Sequence, residues 1–263
     1  MICFIVIVAI LLISTIVALR CMAKDHSNVK IVITSHIKYT VPLTTLFESI
    51  NQHCPDLYHQ TVLVVNGCNS ESINKQMYLN SQKKLVVIRT SLNIWEYTAF
   101  PMITKYYNHS GVSSEYYMLL HDTCTVGQKF ASNLQHNANQ LRTSSSHNPF
   151  VDKNKIGLLR PSGVCSNLVI IHKEVVFKFE NEVYSIKTKA DAVYVENNQG
   201  KLNSFYDYDV HVVDLISRKF DKQVDIYNTG HPRHAYYYEC FDLHKFIARG
   251  THGDITGDIK PIF

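Results

Sequence analysis

Four short apolar runs recur through the first half of the chain: VKIVIT (29–34), TVLVV (61–65), LVVI (85–88) and YYMLL (116–120). Each passes abruptly into polar residues. A run of this kind has no polar face to offer water, so as a strand it must be covered on both sides. Helical spacing fills the gaps between the runs. Leu43, Leu46, Phe47 and Ile50 follow Pro42 in residues 42–52, a short helix is expected over 72–81, and Tyr97, Phe100, Ile103 and Tyr107 mark 95–107, where Pro101 signals a start or a kink. Strand and helix alternating in this way predict an α/β fold, a mostly parallel sheet with helices on both faces.

The fourth run ends in His121, Asp122 and Thr123 and leads through TVGQKF into a helix over 130–141. Asp122 is therefore expected at the carboxyl end of a buried strand, the edge where ligands bind in open α/β sheets. A carboxylate there holds either a divalent cation or a ligand hydroxyl; its alternative use is to cap the following turn. Further on, 142–149 is a Ser-rich loop, 155–159 and 168–171 read as strands, and 175–203 follows no single pattern. A helix is expected over 210–220 and a last strand over 224–227. The tail, 233–263, is rich in Tyr and His and then in Gly.

Residues 2–19, ICFIVIVAILLISTIVAL, carry no charge. As a helix they would extend roughly 27 Å, close to the hydrocarbon thickness of a bilayer. A signal peptide is the competing reading, but the run lacks a basic leader and a clear small-residue cleavage site. A single-pass anchor over 1–20 with a tether over 21–28 is expected. Arg20, Lys24 and Lys30 on its C-terminal flank place the remainder on the cytosolic side by the positive-inside rule. The seven scattered cysteines agree, since they form neither a disulfide framework nor a zinc-binding pattern and read as reduced thiols. A net charge of +4 spread along the sequence, without a basic block interleaved with aromatics, argues against a nucleic-acid partner. The fourteen histidines are dispersed as well, and His36, His121 and His252 are the ones that fall among candidate polar loops.

The order of these strands and loops over about residues 30–230 resembles the GT-A-fold glycosyltransferases, the family 2-like group in particular. In that group the first strand ends in a Thr/Ser loop followed by a helix of the form PxLxxLxxSI; here the stretch is TSHIKYTVPLTTLFESI. The second strand ends in an Asp-rich loop holding base and ribose; here VNGCNSES puts Asn66 where Asp is usual. A third strand leads to an Asn, matched by Asn93. The fourth ends in the metal-binding DxD motif, and here His121-Asp122-Thr123 keeps one carboxylate. Asp214, Leu215 and Arg218 match a later D-L-x-x-R motif. Its preceding acidic pair is replaced by His211 and Val212, with Asp207 and Asp209 just ahead. HGDITGDIKPIF near the end resembles the H-x-x-G-x-x-K-P-W tail of family 8 members, though its spacing is longer and the Trp is missing.

The resemblance implies a transferase, here behind the expected anchor, that moves a sugar from a nucleotide-sugar donor to a hydroxyl of a glycan, lipid or protein acceptor, with inversion favoured. The donor would lie against Thr34, Ser35, Asn66, Asn93 and Asp122, with Lys260 or Arg233 reaching its phosphates. Mn²⁺ or Mg²⁺ would sit on Asp122 with His121 or His252, a nitrogen ligand suiting Mn²⁺ better. Asp209 or Asp207 would act as the base, Asp214 belonging to the same motif. Residues 29–125 would form the nucleotide-binding half, 126–230 the acceptor half and 231–263 a tail. Trp95, the one Trp, is expected in the core rather than as a sugar platform. The broken DxD motif also admits an inactive module of the same fold that binds a nucleotide-sugar or glycan, or acts as a scaffold. A nucleotidyltransferase is disfavoured because TSHIKYT lacks a Gly-rich phosphate loop, and a dehydrogenase because no GxGxxG follows a strand.

Overall fold

In β1, Val29–His36, successive side chains divide between two hydrophobic clusters. Ile31 and Ile33 join one and Val32 the other. The same division holds in β2 (Thr61–Asn66), where Leu63 and Val65 face away from Val62 and Val64, and in β5 (Tyr116–His121), where Met118 and Leu120 face away from Tyr117 and Leu119. These strands are buried on both faces, as their continuous apolar runs require. The computed structural model describes residues 29–77, 84–110, 114–146, 156–161, 168–188, 190–191, 211–215, 218–226, 230 and 232–247. The expected anchor and tether lie outside these residues. Among the described residues no helix is long and apolar enough to cross a membrane.

The main sheet has the order β3-β4-β2-β1-β5-β8-β7-β9. Its remaining strands are β3 (Ser72–Met77), β4 (Lys84–Arg89), β7 (Ile156–Pro161), β8 (Val169–His172) and β9 (His211–Leu215). Helix α1 (Thr40–His53) and α3 (Phe130–Ser146) cover one face through Leu43, Leu46, Phe47, Phe130 and Leu134. Helix α2 (Ala99–Ser110) and α4 (Lys173–Val183) cover the other through Phe100, Ile103, Val175 and Val176. A second, antiparallel sheet joins, in this order, β10 (Arg218–Val224), β11 (Arg233–Tyr238), β12 (Leu243–Ile247) and β6 (Cys124–Val126). It extends the first cluster with Tyr238, Phe241 and Leu243.

The sheet is mixed, with six of its eight strands running one way as expected: β4, β2, β1, β5, β7 and β9 share a direction, while β3 pairs antiparallel with β4, and β8 with both β5 and β7. Two expectations are corrected. Of the helix expected over 72–81, residues 72–77 form a strand instead, and 78–81 lie outside the described residues. SINKQM alternates polar residues with Ile73, which packs on the second cluster, and pairing with β4 along an otherwise open edge outweighs the local helical spacing. The helix expected over 210–220 is instead the two strands β9 and β10. The β-branched Val212 and Val213 are stiff in a helix, and β9 pairs with β7.

Candidate functional site

From β1 the chain builds outward through β2 to β4 and only later returns to place β5 on the opposite side of β1. The loops after β1 and β5 consequently diverge, opening a crevice at the carboxyl edge of parallel strands. Register brings particular residues level there: His36 stands opposite Asn66 and Thr34 opposite His121. The Ile37 N–H extends the ladder by donating to the Asn66 carbonyl at 3.0 Å. A cavity of about 330 Å³ occupies the crevice. Thr34, Ser35, Asn66, Asn93, His121 and Asp122 all line it.

Asp122 is 3% exposed. Its Oδ2 accepts a 2.7 Å hydrogen bond from Ser35 Oγ. Burial pushes its carboxyl up to about 6, opposed by the Ser35 bond, by the nearby charge of Lys245 and by backbone N–H groups of Thr123 and of Asp122 itself. Lys245 is buried on β12 and donates to Thr123 Oγ1 at 3.4 Å, so the second sheet delivers a cation behind the carboxylate. Tyr39, also on the cavity wall, is raised by burial and by the charge of Asp122.

The opposite wall is a turn of unusual backbone. Trp95 has φ +56°, the left-handed region, which costs an L-residue about 1–2 kcal/mol. Hydrogen bonds hold the turn on both sides: Asn66 Nδ2 donates to the Trp95 carbonyl at 3.1 Å, and the Ile94 N–H to Thr98 Oγ1 at 3.1 Å. The turn directs Glu96 to the cavity, where the carboxylate is buried with Oε2 3.9 Å from His121 Nε2.

His36 closes the floor. Its Nδ1 accepts the Lys38 N–H at 3.1 Å, so the neutral ring carries its proton on Nε2. Burial and then the Lys38 charge lower its pKa, which keeps this neutral form at pH 7. Gly67, at φ +74°, lets the ring approach. A Cβ there would stand 2.4 Å from His36 Nε2.

Of the other expected site residues, Asp207, Asp209, His252 and Lys260 lie outside the described residues. Asp214 sits on β9 opposite Arg160 rather than on a helix. Three strand spacings separate β9 from β5, roughly 14 Å. Arg233 opens β11 in the second sheet. Trp95 is half-buried, packing against the second cluster while lining the cavity.

Among the described residues there is no cluster of three or more His, Cys, Asp or Glu side chains arranged to hold a metal. Asp122 and His121 are two donors, too few for a cation held by protein alone. They fit a Mg²⁺ or Mn²⁺ that takes its other ligands from phosphate oxygens and water, and a cation there would relieve the burial of the Asp122 charge. Sequence reading missed Glu96, Lys38 and Tyr39. Glu96 did leave a signal: it is the single charged residue between Arg89 and Lys105, in a stretch otherwise fit for the core.

No protein-family model matches the chain, and no curated protein matches it in sequence. Among solved structures, it is similar to a glycosyltransferase involved in the glycosylation of the major capsid of PBCV-1, at 14% identity and a TM-score of 0.38, over 71% of this chain and 81% of that one. It is also similar to the glycosyltransferase GlyE of Streptococcus pneumoniae TIGR4, at 11% identity and a TM-score of 0.35, over 70% of this chain. The match spans 44% of the GlyE chain, less than half its length.

Proposed function

We propose that the cavity binds a nucleotide-sugar and that the protein transfers the sugar to an acceptor hydroxyl. The observation that carries this reading is the meeting of Ser35, Asn66 and Asp122, from the ends of three different strands, at one cavity on the ligand-binding edge of the sheet. Its volume lies in the range of small-ligand sites. Thr34, Ser35, Asn66 and Asn93 line the donor pocket. Asp122, with His121, holds Mn²⁺ or Mg²⁺, which when bound neutralises the charge growing on the leaving diphosphate. Ser35 fixes the Asp122 carboxylate, and Lys38 adds positive charge at the mouth.

Asp209 or Asp207 takes the acceptor's proton in an inverting transfer, Lys260 or Arg233 reaches the phosphates, and His252 is the alternative nitrogen ligand. Residues 2–19 anchor the chain, with the transferase part on the cytosolic side and a glycan, lipid or protein as acceptor. A thermal-shift panel of nucleotides and nucleotide-sugars, with and without Mn²⁺, tests the reading, because a ligand specific to the native state raises its melting temperature. A cation-dependent rise with one nucleotide class is expected. No rise with any nucleotide would leave a scaffold in place of the transferase.

A further inference from the structure

Glu96 is more than nine-tenths buried in the cavity wall, and two unfavourable features adjoin it. One is the left-handed Trp95 immediately before it. The other is Asn66, whose Oδ1 is buried without a hydrogen-bond partner among the described residues. Asn66 belongs to the same unit, because its Nδ2 donates to the Trp95 carbonyl. A carbonyl can only accept, so that bond fixes which way the amide points and makes Oδ1 an acceptor. A left-handed aromatic residue and an unmet acceptor each lower stability, and both adjoin a carboxylate held in the cavity wall. Their convergence on one stretch of wall marks a place kept for a ligand.

The chemistry of that ligand follows from what the wall presents. A carboxylate and an amide oxygen accept hydrogen bonds and give none. A phosphate also brings only acceptors, with negative charge besides, and is repelled there. A ring carrying hydroxyls on adjacent carbons brings the donors required, and the two oxygens of one carboxylate can accept from two neighbouring hydroxyls. His121, next to Asp122 in sequence, has its Nε2 3.9 Å from Glu96 Oε2. The acceptor wall is thus adjacent to the carboxylate assigned to the diphosphate.

We propose that Glu96 reads the vicinal hydroxyls of a sugar ring attached to the diphosphate, either the ribose or the transferred sugar, and so sets which donor is accepted. This rests on the donor reading above.

The test is equilibrium binding to the full chain in detergent, for wild type, Glu96→Gln and Glu96→Ala. The probes are UDP, 2′,3′-dideoxy-UDP and UDP-glucose, with the corresponding guanosine compounds including GDP-mannose. Both variants are expected to lose about tenfold or more in affinity for ligands that carry the hydroxyl pair, and to bind those lacking it as wild type does. A loss seen with UDP or GDP but not with the dideoxy nucleotides assigns the ribose. A loss confined to the sugar-bearing nucleotides assigns the transferred sugar. The proposal is overturned, and the donor reading left standing, if wild type binds nucleotides and the variants bind every probe equally well, or lose all probes alike. Failure of folded wild type to bind any nucleotide overturns both. If Glu96→Ala does not fold, the isosteric Glu96→Gln decides.

Discussion

Ser35 Oγ donates a 2.7 Å hydrogen bond to Asp122 Oδ2 across 87 positions of sequence. It joins the ends of β1 and β5, the two strands between which the sheet changes its direction of growth. Among the described residues it is also the one side-chain bond that offsets the burial of this carboxylate, and it does so incompletely, since the carboxyl still sits at about 6. Asp122 is therefore held at a cost to the folded state, as a group is when its charge is meant for something that binds.

Asp122→Asn should make the protein without ligand or cation more stable at neutral pH and abolish transfer. Between the unfolded value of 3.8 and the folded value of about 6, the folded chain keeps a proton that the unfolded chain has lost. The contribution of this group to stability is thus fully present below pH 4 and is lost as pH rises through 6. The penalty at neutral pH is roughly 3 kcal/mol at most. Urea unfolding in EDTA should show the variant matching wild type near pH 4 and exceeding it at pH 7.5. An equal difference at both pH values would remove the burial penalty from the account.

Gly127→Ala should destabilise the loop between β6 and α3 that follows Asp122. A Cβ at Gly127 would lie 2.4 Å from Asp242 Oδ2. That carboxylate is not free to retreat, because it accepts the Lys129 N–H at 2.7 Å and the Tyr237 hydroxyl at 2.8 Å. Overpacking of this kind costs about 1–3 kcal/mol. In an Asp242→Ala background the same glycine substitution should cost clearly less. Additive losses in that double-mutant cycle would show that the clash is not the cause.

The parallel half of the sheet was legible because β1, β2, β4 and β5 carry their burial in their own composition. The rest was not, for reasons that differ by element. SINKQM becomes a strand only because the following Lys84–Arg89 offers it an edge, and β9 because β7, distant in sequence, does; neither segment's own pattern announces the pairing. RHAYYY and LHKFI, β11 and β12, pair across a short turn at Asp242, whose φ of +51° is not signalled by a glycine. Within the cavity, Ser35, Asn66 and Asp122 could be placed from strand ends alone. Glu96 could not, since its inward direction depends on a left-handed Trp that no pattern announces.

Gly67→Ala should weaken nucleotide binding as well as stability, unlike a substitution at a remote turn. The backbone there has φ +74°, and an added Cβ would displace the His36 ring, with Nε2 only 2.4 Å away. Ala at such a position costs more than about 1 kcal/mol. Displacing the ring also breaks the bond from the Lys38 N–H that fixes its tautomer. His36→Ala should remove the steric part, so that adding Gly67→Ala to it costs only the backbone strain. Melting curves with and without nucleotide separate the two effects. Unaltered nucleotide affinity in the Gly67 variant would place His36 outside the binding surface.

Chelation should separate two ways of neutralising a diphosphate at this cavity. With one carboxylate and one imidazole from the described residues, a bound cation would depend on the donor's own oxygens. Binding of cation and nucleotide should therefore be mutually dependent: Mn²⁺ alone barely shifts the melting temperature, nucleotide alone shifts it little, and the pair shifts it more than their sum. EDTA should lower transfer by about tenfold or more, with Mn²⁺ restoring it better than Mg²⁺, and His121→Ala should narrow the gap between the two metals because the nitrogen ligand is what favours Mn²⁺. Full activity in EDTA would instead assign the diphosphate's charge to Lys38 on the cavity wall and Lys245 behind Asp122. Lys38→Met and Lys245→Met would then reproduce the loss expected from chelation.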